Sequence, residues 1–307
     1  LLPRLPRHPA PFGGADLTIA ASHDLDHLPV RRGDDLRRVV RNVGVAALGF
    51  RDPRLAASIA GHAIGHLGGR RPLLGGPTSV LTLEADHGVR STWTVITRHG
   101  HPRDADYSID DPPVRALLDR LADAGHEIGV HGSYTSATTP GALADEYEAL
   151  AAIGHRATGG RQHWLRWNGP GLFDELVAAG ATWDSSAGWS DHIGFRHGMA
   201  TPFVPYDALA DRPAGIVEVP VAVMDVALDR LARRGIHIGE ATDRVLDEVR
   251  RHRGGVSVLW HDTVFGDTQV RAGIAGLYRT LLARGGTWTT SSELVERWAT
   301  RPVPATN

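Results

Sequence analysis

The chain has 307 residues with 33 Lys+Arg against 35 Asp+Glu, a formal net charge of −2, and no concentrated basic block marks it for nucleic acid. Cysteine is absent and every basic side chain other than histidine is arginine, which together exclude disulfides, thiolate nucleophiles, thiolate zinc sites and lysine Schiff bases. At 42% hydrophobic the chain is long enough for one large α/β domain or two small ones, and no apolar run reaches the roughly 20 residues of a membrane helix.

Residues 1–16 are rich in Pro and Arg and lack the apolar stretch of a signal peptide, which favours a cytoplasmic over a secreted protein. The run 17–21 reads as a short, fully buried strand, and directly after it stands His23-Asp24-Leu25-Asp26-His27. Two carboxylates and two imidazoles at the end of a buried strand are poorly explained by packing, because charge is costly to desolvate without a partner. A helix-capping cluster on a solvated loop is the plainer alternative.

Residues 30–84 read as a mainly helical insertion: 34–48 is Arg-rich and amphipathic, 53–67 carries apolar residues at helical spacing, and Gly68-Gly69 and Gly75-Gly76-Pro77 punctuate it. His62 and His66 are four apart and share a helix face, a spacing that suits a metal. No acidic partner lies on that face nearby, and a packed or solvated helix is the simpler reading.

From residue 88 onward the pattern alternates. A β-branched strand over 91–96 precedes a helix over 112–124 that opens on Pro112-Pro113 and stops at Gly125. Then come a strand at 127–130, a helix from Thr139-Pro140 to 153, a strand at 157–164, a helix at 171–179 and strands at 182–185 and 217–223. A helix at 240–252, a strand at 256–260, a helix at 270–284 and a last strand at 287–290 complete the series. Repeated β–α alternation without an internal linker predicts parallel strands with helices outside, in a closed or nearly closed α/β barrel; an open doubly wound sheet is the alternative. One barrel domain is expected over 17–298, with a tail at 299–307.

Such barrels build their chemistry at the C-terminal strand ends. Asp24 and Asp26 follow the first strand, His131 another, Arg161 and His163 the next, then Asp184, and finally His261-Asp262. Carboxylate and imidazole hold divalent metals while leaving a position for water. Asp26 and His131 supply two such ligands. Asp24, two residues from Asp26 and so on the same side of an extended backbone, is placed to take a proton from water. Arg161 beside Asp24 would keep it ionised, and His261 could protonate a leaving group.

These motifs resemble those of the polysaccharide deacetylases, the NodB-homology enzymes of carbohydrate esterase family 4, over most of residues 17–290. Asp24-Leu-Asp26 matches the first motif in a spaced form, Gly125-His-Glu-Ile-Gly-Val-His131 the second, Arg161 the third, and Val256-Ser-Val-Leu-Trp-His261 the strand that ends in histidine. Asp184-Ser-Ser186 and Gly194-Phe-Arg196 add likeness to a divergent subgroup. The resemblance implies a distorted (β/α)7–8 barrel with a helical insertion after the first strand. It implies Asp24 as base, Asp26 and His131 as ligands of a divalent metal, zinc before cobalt, nickel or manganese, and hydrolysis of an N- or O-linked acetyl group on a carbohydrate or glycoconjugate. One position departs from the pattern: Thr135 stands where the family has a second histidine, and His163 in Arg161-Gln-His163 is the expected replacement. Two protein ligands completed by water or substrate, and a site that has lost its metal, are the alternatives.

The remaining candidates have two readings each. Asp184 or Asp225 would orient His261 by accepting its second ring N–H, or would cap loops. Trp164, with Trp167 and Trp189, would stack on sugar rings or fill the barrel mouth. Tyr134 would place its hydroxyl near the substrate, and Arg196 would meet an anionic group or form a surface ion pair. Two rival functions stand beside the deacetylase: hydrolysis of a non-sugar C–N amide on the same fold, and a catalytically silent carbohydrate-binding homologue.

Overall fold

The structure is a computed structural model of the chain and describes residues 17–28, 76–265, 269–284 and 286–300, with 40, 43–49, 53–54, 56–57 and 59–61 between the first two. The first strand, β1 (Thr18–Leu25), is buried along its whole length, because it has neighbours on both edges and material on both faces. It pairs in parallel with β10 (Gly255–Leu259) on one edge and with β2 (Thr92–Val95) on the other; β11 (Thr287–Thr289) takes the second edge at the β1 N-terminal end.

From β2 the sheet continues in parallel through β3 (Glu127–Gly132), β4 (Gly159–Gln162), β5 (Trp183–Asp184) and β8 (Val217–Glu218), and beyond β10 it ends at β9 (Val221–Met224). The two ends of this path, β8 and β9, are consecutive pieces of one extended run, so the chain itself joins them. The strand expected over 217–223 is therefore two strands facing different neighbours. Pro220 makes the break: it has no N–H for a ladder, while its carbonyl accepts from Ser257 and the preceding Val219 N–H donates to Asp184.

Alternation along β1 sorts its side chains. Ser22 and Asp24 point inward, where Ser22 meets Ser257 of β10 and Asp24 meets Arg161 of β4. His23 points outward into the layer between sheet and helices. There its ring bonds the Trp260 carbonyl at 2.6 Å and Glu84 at 2.9 Å, and Glu84 also accepts from Tyr278 and Ser91. Glu84 belongs to α1 (Pro77–Ala85), a helix within the stretch read as an insertion; its Val80 joins the core cluster of Leu25, Trp93 and Val95. Of the rest of that stretch, Val45–Gly49 forms a π-helical turn, and His62 and His66 lie outside the described residues.

The outer layer is made by α2 (Pro112–Asp123), α3 (Ala142–Ala152), α4 (Gly171–Ala178), α5 (Asp225–Arg233), α6 (Ile238–Arg251) and α7 (Gln269–Ala283). Thr139 does not cap α3: its N–H continues the preceding 3-10 turn, and Gly141 at φ 77° opens the helix in a left-handed conformation. Three elements go beyond the alternation read from sequence: α5, the antiparallel hairpin β6–β7 (Tyr206–Asp207, Arg212–Pro213), and α8 (Ser291–Ala299). The signal for α8 was present as Thr290-Ser-Ser-Glu293, whose side chains form a reciprocal capping box. Its Leu294 clusters with Ala20, Trp183 and Val219, inward-facing residues near the N-terminal ends of the strands, and so closes the floor beneath the opposite, polar mouth.

Candidate active site

The C-terminal strand ends bring Asp24, Asp26, His131, Arg161, His163 and His261 together. Arg161 is 1% exposed, and five hydrogen-bonding partners surround its guanidinium: the Asp24 carboxylate at 2.7 Å, the Ser185 carbonyl at 2.8 Å, and the hydroxyls of Ser22, Ser185 and Ser257 at 3.0 to 3.5 Å. Thr94 of β2 donates to the same Asp24 oxygen at 2.6 Å. Burial on its own raises the Asp24 pKa; Arg161, with His131 and His261, outweighs it and holds the carboxyl down to about 2. Asp24 is thus an ionised, buried carboxylate. Thr94, Ser22 and Ser257 escape sequence reading because small hydroxyl residues in strands carry no signal of their own.

Asp26 lies one alternation further, where the strand has ended, and its side chain keeps 22% exposure. His131 Nδ1 sits 2.9 Å from the Arg161 carbonyl, which can only accept, so Nδ1 carries a proton and Nε2 faces the aspartates. Nε2 lies 3.3 Å from Asp26 Oδ1 and 3.7 Å from Asp24 Oδ2. His163 follows β4 at the start of a tight turn, His163–Leu165, whose Trp164 is left-handed, and its Nε2 is 3.5 Å from the same Asp26 Oδ1. Asp26, His131 and His163 offer ligand atoms that all lie within 4.8 Å of one another. Thr135 takes no part: its hydroxyl is turned toward Gly100.

The chemistry of this donor set fits a divalent cation. Asp26 Oδ1 is buried without a hydrogen-bond partner, at the point both imidazoles face, and a buried unpaired carboxylate oxygen is costly unless something positive meets it. Burial and the neighbouring His131 drive the His163 pKa down to about 4, which keeps its ring neutral as a ligand must be. Burial opposes ionisation of Asp26, yet the close approach of His131 at 3.3 Å and the charge of His261 hold it far below the usual carboxylate range.

Across the mouth, His261 Nε2 is 3.5 Å from Asp26 Oδ2 and 3.9 Å from Asp24 Oδ2. Asp225, first residue of α5, clamps it twice, accepting from the ring Nδ1–H and from the His261 backbone N–H, both at 2.8 Å. Burial lowers the His261 pKa, but Asp225 chiefly and then the two aspartates carry it up to about 10, so the ring is an imidazolium. Of the two carboxylates considered for orienting His261, Asp225 has the position. Asp184 does not: its oxygens accept from Ser186, and its carboxyl faces Glu218 across a buried pair in which burial raises both pKa values.

The outer candidates separate as well. Tyr134 and Trp164 stand at the rim, with the Trp164 ring 6.0 Å from that of His163. Arg196 does not join the constellation. Its guanidinium donates to the Gly188 carbonyl, stacks on Trp189, and lines a cavity of about 200 Å³ with Trp167, Phe173, Tyr206 and Glu218.

No family model matches the chain, and no curated protein matches it. Among solved structures, a protein from Mycobacterium smegmatis assigned as a polysaccharide deacetylase aligns at a TM-score of 0.56, with 18% identity, over 99% of this chain and 98% of that one. The chain has the polysaccharide deacetylase fold. A 4-alpha-glucanotransferase from Thermococcus litoralis shares it at a TM-score of 0.52 and 14% identity, over 91% of this chain and 38% of that longer chain. A family 4 acetyl xylan esterase from Clostridium thermocellum, in complex with a cobalt ion, aligns at 0.43 and 15% identity over 93% of each chain. Because a protein assigned as a deacetylase and a glucanotransferase share this fold, the fold leaves the reaction to be argued from the site. Among the described residues no helix is long and apolar enough to cross a membrane.

Proposed function

We propose that the protein is a metal-dependent hydrolase that removes an N- or O-linked acetyl group from a carbohydrate or glycoconjugate. The observation that carries this reading is the arrangement around Asp26: a carboxylate with an orphaned buried oxygen, two imidazoles aimed at it, an ionised Asp24 on one side and a protonated His261 on the other. Asp26, His131 and His163 are the proposed ligands of a divalent cation, with zinc the favoured ion. Such an ion, when bound, supplies a Lewis acid for the acyl oxygen and makes water more acidic.

The protein's own groups supply the proton transfers. Asp24 accepts the proton of the attacking water; Arg161 and Thr94 hold its carboxylate ionised and fixed in direction. His261 donates a proton to the departing sugar nitrogen or oxygen, and Asp225 keeps its ring turned and charged. The bond broken is acyl C–N or C–O, the bond formed is acyl C–O, and the proton removed from water is balanced by the one His261 gives up. A non-sugar amide would meet the same groups in the same order.

The test is acetate release from chitooligosaccharides, acetylated xylan and acetylated nucleotide sugars, read beside elemental analysis of the purified protein. A preparation that binds no stoichiometric divalent metal after incubation with zinc would sink the mechanism. Metal binding without acetate release from any acetylated sugar would move the reading to the non-sugar amide.

A further inference from the structure

The rim of the mouth beside His163 carries exposed aromatic surface and positive charge that the proposed reaction does not use. Trp164 and Leu165 both have positive φ, 64° and 52°, a region that side-chain-bearing residues rarely occupy. The turn they make leaves the Trp164 ring 60% exposed while holding it 6.0 Å from the His163 ring. The same turn buries Leu165 against Val221, Met224 and Leu259 while presenting Trp164 to water, and such strain collects at binding sites.

Tyr134, from the loop after His131, stands beside it, its ring 6.5 Å from Trp164 and edge-on. The Arg166 guanidinium lies 4.1 Å from the Tyr134 ring centre, that of Arg103 lies 4.7 Å from it and 5.5 Å from the Trp164 ring, and His101 stacks on Tyr134 at 4.3 Å. Arg103 also donates to the Tyr134 hydroxyl. Neither arginine has a carboxylate partner among the described residues, and the buried Nε of Arg166 has no hydrogen-bond partner. Asp104, next in sequence to Arg103, makes no ion pair with it; its oxygens accept from backbone, Oδ1 from Tyr134 and Oδ2 from Gly100 and His101. Two guanidinium groups within 4.7 Å of one phenol ring centre, neither in contact with a carboxylate of the described residues, each keep charge-assisted hydrogen-bonding capacity for an anion.

We propose that this rim selects a substrate carrying a negative group, a carboxylate or a phosphate, on or next to the acetylated sugar. Arg103 and Arg166 bind the anion, and Trp164 supplies the face on which the sugar ring lies. The inference rests on the deacetylase reading for the sugar, but its charge preference is measurable without turnover.

The experiment is a titration of the whole protein with glucose, glucuronate and glucose 1-phosphate, followed by NMR; none carries an acetyl group, so hydrolysis cannot interfere. Wild-type protein should bind at least one charged sugar roughly ten-fold more tightly than glucose, the scale of a charge-assisted contact. The better of the two identifies carboxylate or phosphate as the source. That ratio should collapse toward one in R103Q/R166Q and, in the wild type, as salt rises from roughly 50 to roughly 500 mM. W164A should weaken all three sugars together and keep the ratio. Equal binding of charged and neutral sugars, no binding of either charged sugar, or a preference untouched by salt overturns the proposal. Loss of acetate release with the charge ratio intact would instead count against the deacetylase reading alone.

Discussion

Arg161 and Asp24 come from strands three places apart in the sheet and meet at 2.7 Å, both almost wholly buried. The pair ties β4 to β1 through the centre of the barrel. It also decides the charge of the residue proposed as base, because the arginine overrides the burial that would otherwise protonate it.

Replacing Arg161 by Met should therefore cost about 3 to 5 kcal/mol of folding free energy at pH 7, since Asp24 is left charged and unpaired. The double variant R161M/D24N should recover part of that loss. Urea denaturation measures both; an R161M protein as stable as wild type would contradict the central role of the pair.

The depressed Asp24 pKa has its own pH signature. A carboxylate whose folded pKa is near 2 rather than 3.8 contributes stability above 3.8, about 2 kcal/mol, and loses it as pH falls toward 2. Acid unfolding of wild type should steepen across that window, and D24N should flatten it.

Glu146 titrates the other way. Burial raises its carboxyl to about 7, against only partial relief from the Ser133 N–H, so the folded protein binds its proton more tightly than the unfolded chain. Its contribution is complete below 4.5 and is lost as pH rises through about 7, a swing of about 3 kcal/mol. Glu146→Gln should raise the Tm at pH 8 by several degrees and leave it nearly unchanged at pH 4, as differential scanning fluorimetry would show.

The proposed metal shell predicts a graded loss. D26A and H131A should abolish stoichiometric zinc, H163A should weaken it about 10- to 100-fold or more, and T135A should leave it unchanged. Chelator competition measures the order. Tight binding by H163A would remove His163 from the shell without disturbing the other two ligands.

Asp225→Asn should lower the His261 pKa, because Asp225 is the largest of the charges raising it above its ordinary value. The imidazolium then deprotonates at lower pH, so the basic limb of the pH–rate profile moves toward neutrality and kcat falls more than KM rises. An unmoved basic limb would show that His261 is not the proton donor.

Much of this was legible in the chain because parallel strands leave a regular mark. Asp24, His131, Arg161 and His261 each stand at or just past the end of a short strand run, and the alternation of such runs with helices assigns all those ends to one side. The split at Val219-Pro220, α5 and the β6–β7 hairpin were not legible in the same way. Each is short or departs from the β–α period, and the break at Pro220 is also held by Asp184 and Ser257, far off in the chain.

The chain by itself determined a parallel α/β sheet and the side on which its ionisable residues emerge, since strand period and turn chemistry are local properties that survive translation into three dimensions. Only the tertiary structure decided who meets whom. It brought His163 and His131 to one oxygen of Asp26, turned Thr135 toward Gly100, gave His261 to Asp225 rather than Asp184, and left Arg103 and Arg166 on one tyrosine ring at the rim. Those contacts depend on turns in left-handed backbone and on distances across the sheet, which no spacing along the sequence encodes.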